Sequence, residues 1–293
     1  MTTSGTNVTV QVCPTCPLCG SRGVSDYCSG AGDRRRKIAW CFKFYICKGC
    51  RLRFQVLTRD AALLYEHQEE APLHQGAARH ELRCDSDVLA TFDRLKCGRR
   101  LLEIGSGDGR FLAAASQAGL HCIGVDVSAK LAAEARRRSG VTILVGDLRD
   151  LKLEAEAFDL INLDQVLMYV PDPLGLGKEV FRLLAPGGIC RIREYDPDSF
   201  SAWSAGKKYW MYAPTHLLVW SHRSIQELAS QSQLRISRII SGTEASLHDW
   251  LQTERERTLL AGIRCTVQFL LRKVAFGPLS VAADKVYYLK KCS

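Results

Sequence analysis

From residue 86 onward the apolar positions follow two alternating rhythms: short runs that fit strands, and stretches of helical spacing between them. That alternation encodes a parallel sheet with helices on both faces, because each strand is then buried on two sides and each helix on one. Ser86 to Lys96 has apolar residues at helical spacing behind a Ser/Asp start. Arg100 to Ile104 predicts a strand that enters the loop Gly105-Ser106-Gly107-Asp108-Gly109, with a helix opening at Arg110. Further strands are predicted over Leu120 to Val125 before Asp126, Val141 to Val145 before Gly146-Asp147-Leu148, Phe158 to Leu163 before Asp164, and Ile189 to Ile192. Two stretches lack strands: residues 61–85 read as a helical connector, and residues 242–284 as one or two amphipathic helices inserted before a final strand.

The start of the chain has a different texture. Of 13 cysteines and a net charge of +9, seven cysteines lie in the first fifty residues, and the first sixty carry ten basic against three acidic side chains. The remaining residues are almost neutral. A secreted disulfide scaffold would continue its cysteine pattern through the chain, and this one does not. Residues 1–60 therefore read as a separate basic module ahead of an α/β domain at 86–293. Without an apolar run of spanning length or a basic flank before an apolar core at the start, the expectation is a cytoplasmic protein with no membrane association.

Within the module, Cys16-x-x-Cys19 and Cys47-x-x-Cys50 are two knuckles, the second following the strand-like run Trp40, Phe42, Phe44, Ile46. Two such pairs suit tetrahedral zinc, since each tight turn presents two thiolates and the loops together fill four vertices. Cys13 makes Cys13/Cys16 a competing first knuckle; Cys16/Cys19 is preferred because Gly20 follows it with a permissive backbone. Four thiolates leave no open coordination position, so the zinc would be structural. A module this small needs the metal's binding free energy to fold. His67, His74 and His80 lie in the connector without the spacing of a second metal site.

The glycine loop predicts a ligand site. Glycines let a backbone pass close to a ligand and turn from strand into helix, whose first amides attract negative charge. Asp126, 21 residues after Gly105, stands at the tip of the next strand, where a carboxylate can accept from ribose hydroxyls. The spacing Gly-x-Gly-x-Gly departs from the dinucleotide fingerprint, and Asp108 in the loop is expected to repel a pyrophosphate. A nucleoside ligand fits better.

Leu101-Leu102-Glu103-Ile104-Gly105-Ser106-Gly107-Asp108-Gly109, Gly124-Val125-Asp126-Val127-Ser128, Gly146-Asp147-Leu148, Phe158-Asp159-Leu160 and Leu184-Ala185-Pro186-Gly187-Gly188 together resemble the class I S-adenosylmethionine (SAM)-dependent methyltransferases. The resemblance implies a seven-stranded, doubly wound Rossmann-like sheet with a late antiparallel strand, placed here at Lys285 to Lys291. It implies that Glu103, Gly105 and Gly107 hold the methionine part of SAM, Asp126 with Val127 the ribose side, and Asp147 and Leu148 the adenine. Leu163 and Asp164 would line the methyl-transfer side. The knuckles resemble those of bacterial small-molecule methyltransferases of polysaccharide and natural-product pathways. Where such proteins usually read V-L-E-H-V, this chain has Val166-Leu167-Met168-Tyr169-Val170, so a mechanism built on that Glu/His pair does not transfer.

Residues 195–220 hold seven aromatics and leave the carboxyl end of a strand, where ligands bind in such folds. This cap is expected to form the acceptor pocket. Methyl transfer is an in-line displacement that needs alignment and, for some acceptors, a base. His216, in a Pro-x-His-Leu stretch similar to that subset, is the leading candidate, with Tyr169 and Tyr195 beside it; Glu194 and His222 are rivals. The acceptor is expected to be a small molecule, acidic or carrier-bound. Two alternatives stay open: an RNA acceptor gripped by Arg34-Arg35-Arg36-Lys37, and a non-catalytic partner protein that keeps the SAM fold.

Overall fold

The computed structural model describes residues 14–33, 38–56, 88–93, 98–241 and 284–292. Cys13, the basic run 34–37, the connector 61–85 and residues 242–283 of the insertion lie outside the described residues.

The larger sheet has seven strands. In chain order these are β4 (Arg100–Ile104), β5 (His121–Asp126), β6 (Thr142–Val145), β7 (Phe158–Asp164), β8 (Leu184–Tyr195), β10 (Leu234–Ser241) and β11 (Asp284–Lys291). Their spatial order is β10-β11-β8-β7-β4-β5-β6, with only β11 antiparallel to its neighbours. The chain reverses direction across the sheet at β4, so the loops after β4 and β7 diverge and open a crevice at the carboxyl ends of the strands. β8 runs longer than the predicted four residues and carries Glu194 and Tyr195 as strand positions. Its early part absorbs a register irregularity opposite β7, which hides the strand behind the turn-like Ala185-Pro186-Gly187-Gly188.

Helices α1 (Arg110–Gln117), α2 (Ala129–Ser139), α3 (Pro173–Leu183) and α5 (His222–Gln231) flank this sheet, the short α4 (Phe200–Ala205) lies in the segment between β8 and α5, and α2, α3 and α5 each start on a side-chain cap. Ser128 accepts from the Leu131 amide, Asp172 from Gly175 and Ser221 from Ser224, which satisfies amides that a helix start leaves orphaned. One face of the sheet buries Leu102, Ile104, Ile161, Leu163, Cys190 and Ile192 in a core shared with α3 and α5 residues Leu176, Val180, Ile225 and Leu228. The other buries Leu101, Leu160, Ile189 and Tyr288 against Val88 and Phe92 of the 88–93 helix.

The N-terminal sheet consists of β1 (Val24–Asp33), β2 (Ile38–Cys47), β3 (Arg53–Gln55) and, unexpectedly, β9 (Leu218–Val219) from the α/β domain, in that order. Arg53 pairs with Val219 and Phe54 with Leu218. The ribbon's sheet thus crosses the boundary that composition draws at residue 60. A two-residue strand has no periodicity to read, so this joint has no signature in the sequence.

Among the described residues no helix is long and apolar enough to cross a membrane.

Candidate functional site

The four knuckle cysteines meet at one end of the ribbon. The Sγ atoms of Cys16, Cys19, Cys47 and Cys50 all lie within 4.8 Å of one another, with 3.6 Å between Cys16 and Cys50 and between Cys19 and Cys47. A disulfide needs about 2.05 Å, so these are thiols. Tetrahedral zinc with bonds of about 2.3 Å places its sulfurs roughly 3.8 Å apart, which this cage matches. The hydrogen bond between the Cys16 and Cys50 sulfurs pulls the Cys16 pKa down to about 5, against the effect of burial.

At the carboxyl ends of β4, β5 and β6 stand Glu103, Asp126 and Asp147. Gly105 and Ser106 both donate their amides to the Val125 carbonyl, tying the loop to β5. Asp126 is 7% exposed and accepts from the amides of Gly107 (3.0 Å) and Ser128 (2.9 Å), so the same carboxylate shapes the loop and starts α2. Gly107 has φ +51° and open space where a Cβ would stand, which leaves the loop's outer surface accessible to a ligand. Val127, beside Asp126, is 46% exposed although apolar. Asp147 is clamped by Arg149, whose Nε and Nη2 donate at 2.9 and 2.8 Å, and Arg149 also reaches Asp172 at 2.7 Å. The Arg149 hydrogen bonds hold the Asp147 pKa below the ordinary carboxylate range. Leu148 is buried.

Asp108 corrects the sequence argument about pyrophosphate. Its carboxylate pairs with Arg110 at 2.8 Å and with Arg138 from α2, so its charge is spent within the protein. Repulsion of a phosphate therefore does not follow from it. Leu163 also differs from expectation: its side chain faces the apolar space between the sheet and α3/α5, on the opposite side of β7 from Asp164, because strand positions alternate.

Asp164 belongs to a polar ladder that crosses four strands, β4, β7, β8 and β11. Asn162 donates to Glu103 at 3.2 Å; Arg191 donates to Asn162 at 2.8 Å and to Asp164 at 3.0 Å; Arg193 donates to Asp164 at 3.1 Å and to Asp284 at 2.8 Å. Burial works to raise the Asp164 pKa, but Arg193 and Arg191 outweigh it and hold the group below its usual value. Sequence reasoning missed Asn162, Arg191 and Arg193. The signal was present in Arg191-Ile192-Arg193, two arginines at strand spacing inside a buried central strand, where an unpaired charge is prohibitive.

Beyond the ladder, the candidate catalytic residues come together. Tyr195 packs edge-on against Trp210 at 4.5 Å between ring centroids; Trp210 contacts His216 at 5.9 Å, and His216 contacts Tyr169 at 5.5 Å. His216 is 1% exposed, and its Nδ1 lies 2.9 Å from the Met211 carbonyl. A carbonyl only accepts, so this bond assigns the proton to Nδ1. Gln165, in the left-handed region at φ 57°, donates to the Tyr195 hydroxyl at 3.1 Å. Burial raises the Tyr195 pKa above its ordinary value, which keeps the hydroxyl protonated at neutral pH. Glu194 is buried, accepts from the Leu167 amide at 2.9 Å, and is pushed up to about 8 by desolvation. It anchors the 3-10 turn Leu167–Tyr169 from below. His222 stacks on Tyr287 at 5.8 Å, away from this group.

The ribbon closes the far side of the same cluster. Cys28 and Phe44 pack with Met168, Tyr209, Met211 and Tyr212, and with the half-buried Tyr27, Tyr169 and Tyr195. The side-chain nitrogen of Gln55 lies within hydrogen-bonding distance of the Ala213, Pro214 and His216 carbonyls. Of the cap aromatics, Trp203 and Trp210 remain 71% and 48% exposed, whereas Tyr209, Tyr212 and Trp220 are core. Burial pushes the Cys28 thiol up to about 11 against the pull of the Lys207 and Arg53 charges.

Comparison with known proteins agrees with this geometry. The methyltransferase domain family matches residues 102–192. A ubiquinone biosynthesis O-methyltransferase of Cereibacter sphaeroides is 34% identical over 175 residues, 51% of this chain and 67% of that protein. An uncharacterized methyltransferase of Mycobacterium leprae is 31% identical over 149 residues, 45% of this chain and 52% of that protein. A solved SAM-dependent methyltransferase of Thermotoga maritima shares the fold, with a TM-score of 0.53 at 21% identity over 79% of this chain and 97% of that one. The chain spans about half the length of the first curated relatives it matches, 41% and 52%. With its sheet order, its glycine loop and these relatives, the chain belongs to the class I SAM-dependent methyltransferases.

Proposed function

We propose that the protein transfers a methyl group from SAM to oxygen, nitrogen or carbon of a small metabolite, such as a sugar or natural-product intermediate, and that zinc in the four-cysteine cage holds its ribbon. One observation carries the reading: three carboxylates, Glu103, Asp126 and Asp147, end three neighbouring strands around a glycine loop whose outer surface is open. That set suits a nucleoside bearing an amino acid, with hydroxyl, amino and ammonium groups to donate. Asp126 would take the ribose hydroxyls, Asp147 the adenine amino group, Val127 and Leu148 the base, and Glu103 with the loop at Gly105 and Gly107 the methionine end. Asp164 would face the transferring methyl. Bound SAM supplies an electrophilic methyl on a sulfonium.

The chain's own task is alignment and proton handling. The linked rings of Tyr169, His216, Trp210 and Tyr195 would orient the acceptor, and the Nδ1 bond to Met211 would keep the His216 ring in one tautomer. Cys16, Cys19, Cys47 and Cys50 would hold the zinc structurally, with every coordination position filled by sulfur.

Calorimetric titration tests the cofactor. SAM should bind with one site per chain, and Asp126→Ala should weaken it at least tenfold, since a charged hydrogen bond is worth about 1.5–3 kcal/mol. No binding by zinc-loaded protein would end the proposal. Incubation with labelled SAM and fractionated extract then identifies the acceptor; a product label found in RNA would replace the small-molecule reading. For the base, unchanged turnover in both His216→Asn and His216→Gln would remove His216 from the chemistry.

A further inference from the structure

The turn after β7 touches both halves of the candidate site. Val166 packs against the glycine loop, where a Cβ added at Gly105 would lie 2.6 Å from Val166 Cγ2. Two residues on, the Met168 carbonyl accepts from the Leu217 amide at 2.8 Å, and the Tyr169 ring meets His216 at 5.5 Å. The placement of this turn therefore sets Tyr169 and the His216 segment relative to the loop. Its own sequence does little to hold it: Leu167–Tyr169 is one short 3-10 turn with no side-chain cap at Val166. Such a turn leaves its first amides without partners of its own.

The cap comes from another strand. Glu194, in β8, is 2% exposed, and its Oε1 accepts from the Leu167 amide at 2.9 Å. Its Oε2 is buried with no hydrogen-bond partner among the described residues. The groups around the carboxyl give it no counter-ion of its own. Asp164 on β7 opposes a negative charge there, and Arg193 on β8 favours one but is held by Asp164 and Asp284. Lys285, opposite Glu194 in the β8–β11 register, is held by Asp196 at 2.6 Å. Tyr287 on β11 adds a phenol, and His222 from α5 stacks on that ring and is influenced by Lys285 and Asp196. A carboxylate here would leave one oxygen bare in a dry site, whereas the acid form desolvates only a neutral group.

We infer that Glu194 is a positioning residue: from β8 its carboxyl caps the turn between Val166 and Tyr169 and so fixes Tyr169 and the His216 segment against the glycine loop. The cap stands without the methyltransferase reading; its bearing on methyl transfer rests on that reading. The carboxyl serves as a hydrogen-bond acceptor, not as a base, so a glutamine carbonyl can replace it. Opening the turn admits water, and a wetted carboxyl ionises near its ordinary 4.5, whereas the capping one is pushed up to about 8 by desolvation. The turn should thus open more readily as pH rises through that window and level off above it.

Hydrogen exchange read by mass spectrometry on the zinc-loaded full chain tests this, with residues 164–170 and 211–219 as reporters and the central strand β5 as reference. Glu194→Leu, which removes the acceptor, is expected to lose protection about tenfold in both reporters and little in β5, and Glu194→Gln should keep the protection of the unsubstituted protein. After correction for intrinsic exchange, protection of residues 164–170 should fall severalfold from pH 5 to pH 8 in the unsubstituted protein and stay level in Glu194→Gln. Methyl transfer from labelled SAM to a fractionated extract should drop about tenfold in Glu194→Leu and be rescued in Glu194→Gln, with S-adenosylhomocysteine affinity within severalfold in both. Unchanged protection in Glu194→Leu, an equal loss in Glu194→Gln, or a loss shared equally by β5 overturns the inference. If Glu194→Leu does not fold, the pH comparison decides it, and parallel curves for Glu194→Gln and the unsubstituted protein overturn it. Absence of S-adenosylhomocysteine binding alongside the expected exchange pattern would instead sink the methyltransferase reading and leave the cap standing.

Discussion

Asp126 does two jobs with one carboxylate. It accepts from Gly107 and Ser128 and so holds the glycine loop in the shape a ligand meets. Asp126→Ala is therefore expected to lower stability by about 1–3 kcal/mol, read by denaturant unfolding, as well as SAM affinity. Glu194 shows the opposite economy: a carboxyl with an ordinary value of 4.5 is raised to about 8 by burial. The unfolded chain then releases a proton near pH 4.5 that the folded chain keeps up to about pH 8, so stability should fall as pH rises through that window. The slope from this group approaches about 1.4 kcal/mol per pH unit at most. Glu194→Gln, which cannot ionise, should flatten that slope in urea titrations at pH 5 and pH 8; an unchanged slope would show that the carboxyl is not held neutral.

Elements rather than residues set the precision of the site. The loop between β4 and α1 ends at Gly109, which has φ +77° and whose added Cβ would lie 2.7 Å from the Ala135 backbone. Only glycine permits both that conformation and the close approach of α1 to α2. Gly109→Ala is expected to destabilise the fold by more than about 1 kcal/mol and to weaken SAM binding, whereas Gly107→Ala, with open space around it, should affect stability less. Thermal unfolding of the two variants side by side checks this. β8 is the second decisive element. Its alternation sends Ile192 into the core and Arg191 and Arg193 into the polar ladder that meets Asp164.

At the scale of the molecule, the ribbon is a buttress. Gln55 reaches the carbonyls of the segment that carries His216, and β9 extends the ribbon's own sheet. Removing the zinc proposed for the four-cysteine cage should therefore loosen the acceptor side while leaving the glycine loop intact. After chelation, SAM affinity is expected to stay within severalfold and methyl transfer to fall by at least tenfold, with zinc quantified at one ion per chain beforehand. Equal loss of both would mean that the ribbon supports the whole fold. Gln55→Ala should reproduce part of the effect, lowering turnover without changing zinc content.

Local pattern alone settled a good deal: the strand and helix alternation from residue 86, the glycine loop with acids at neighbouring strand tips, and the two knuckles all depend on short-range sterics and fixed spacing. What folding in three dimensions added depends on partners far apart in the chain. Asp108 lost its expected repulsion to Arg110 and Arg138, Leu163 turned away from the crevice, and Arg53 met Asp198 from 145 residues away. The charge and cysteines crowded into the first sixty residues mark a separate module by composition. Contacts between residues far apart in the chain join that module to the cap, among them the pairing of β3 with a two-residue strand too short to leave a periodicity.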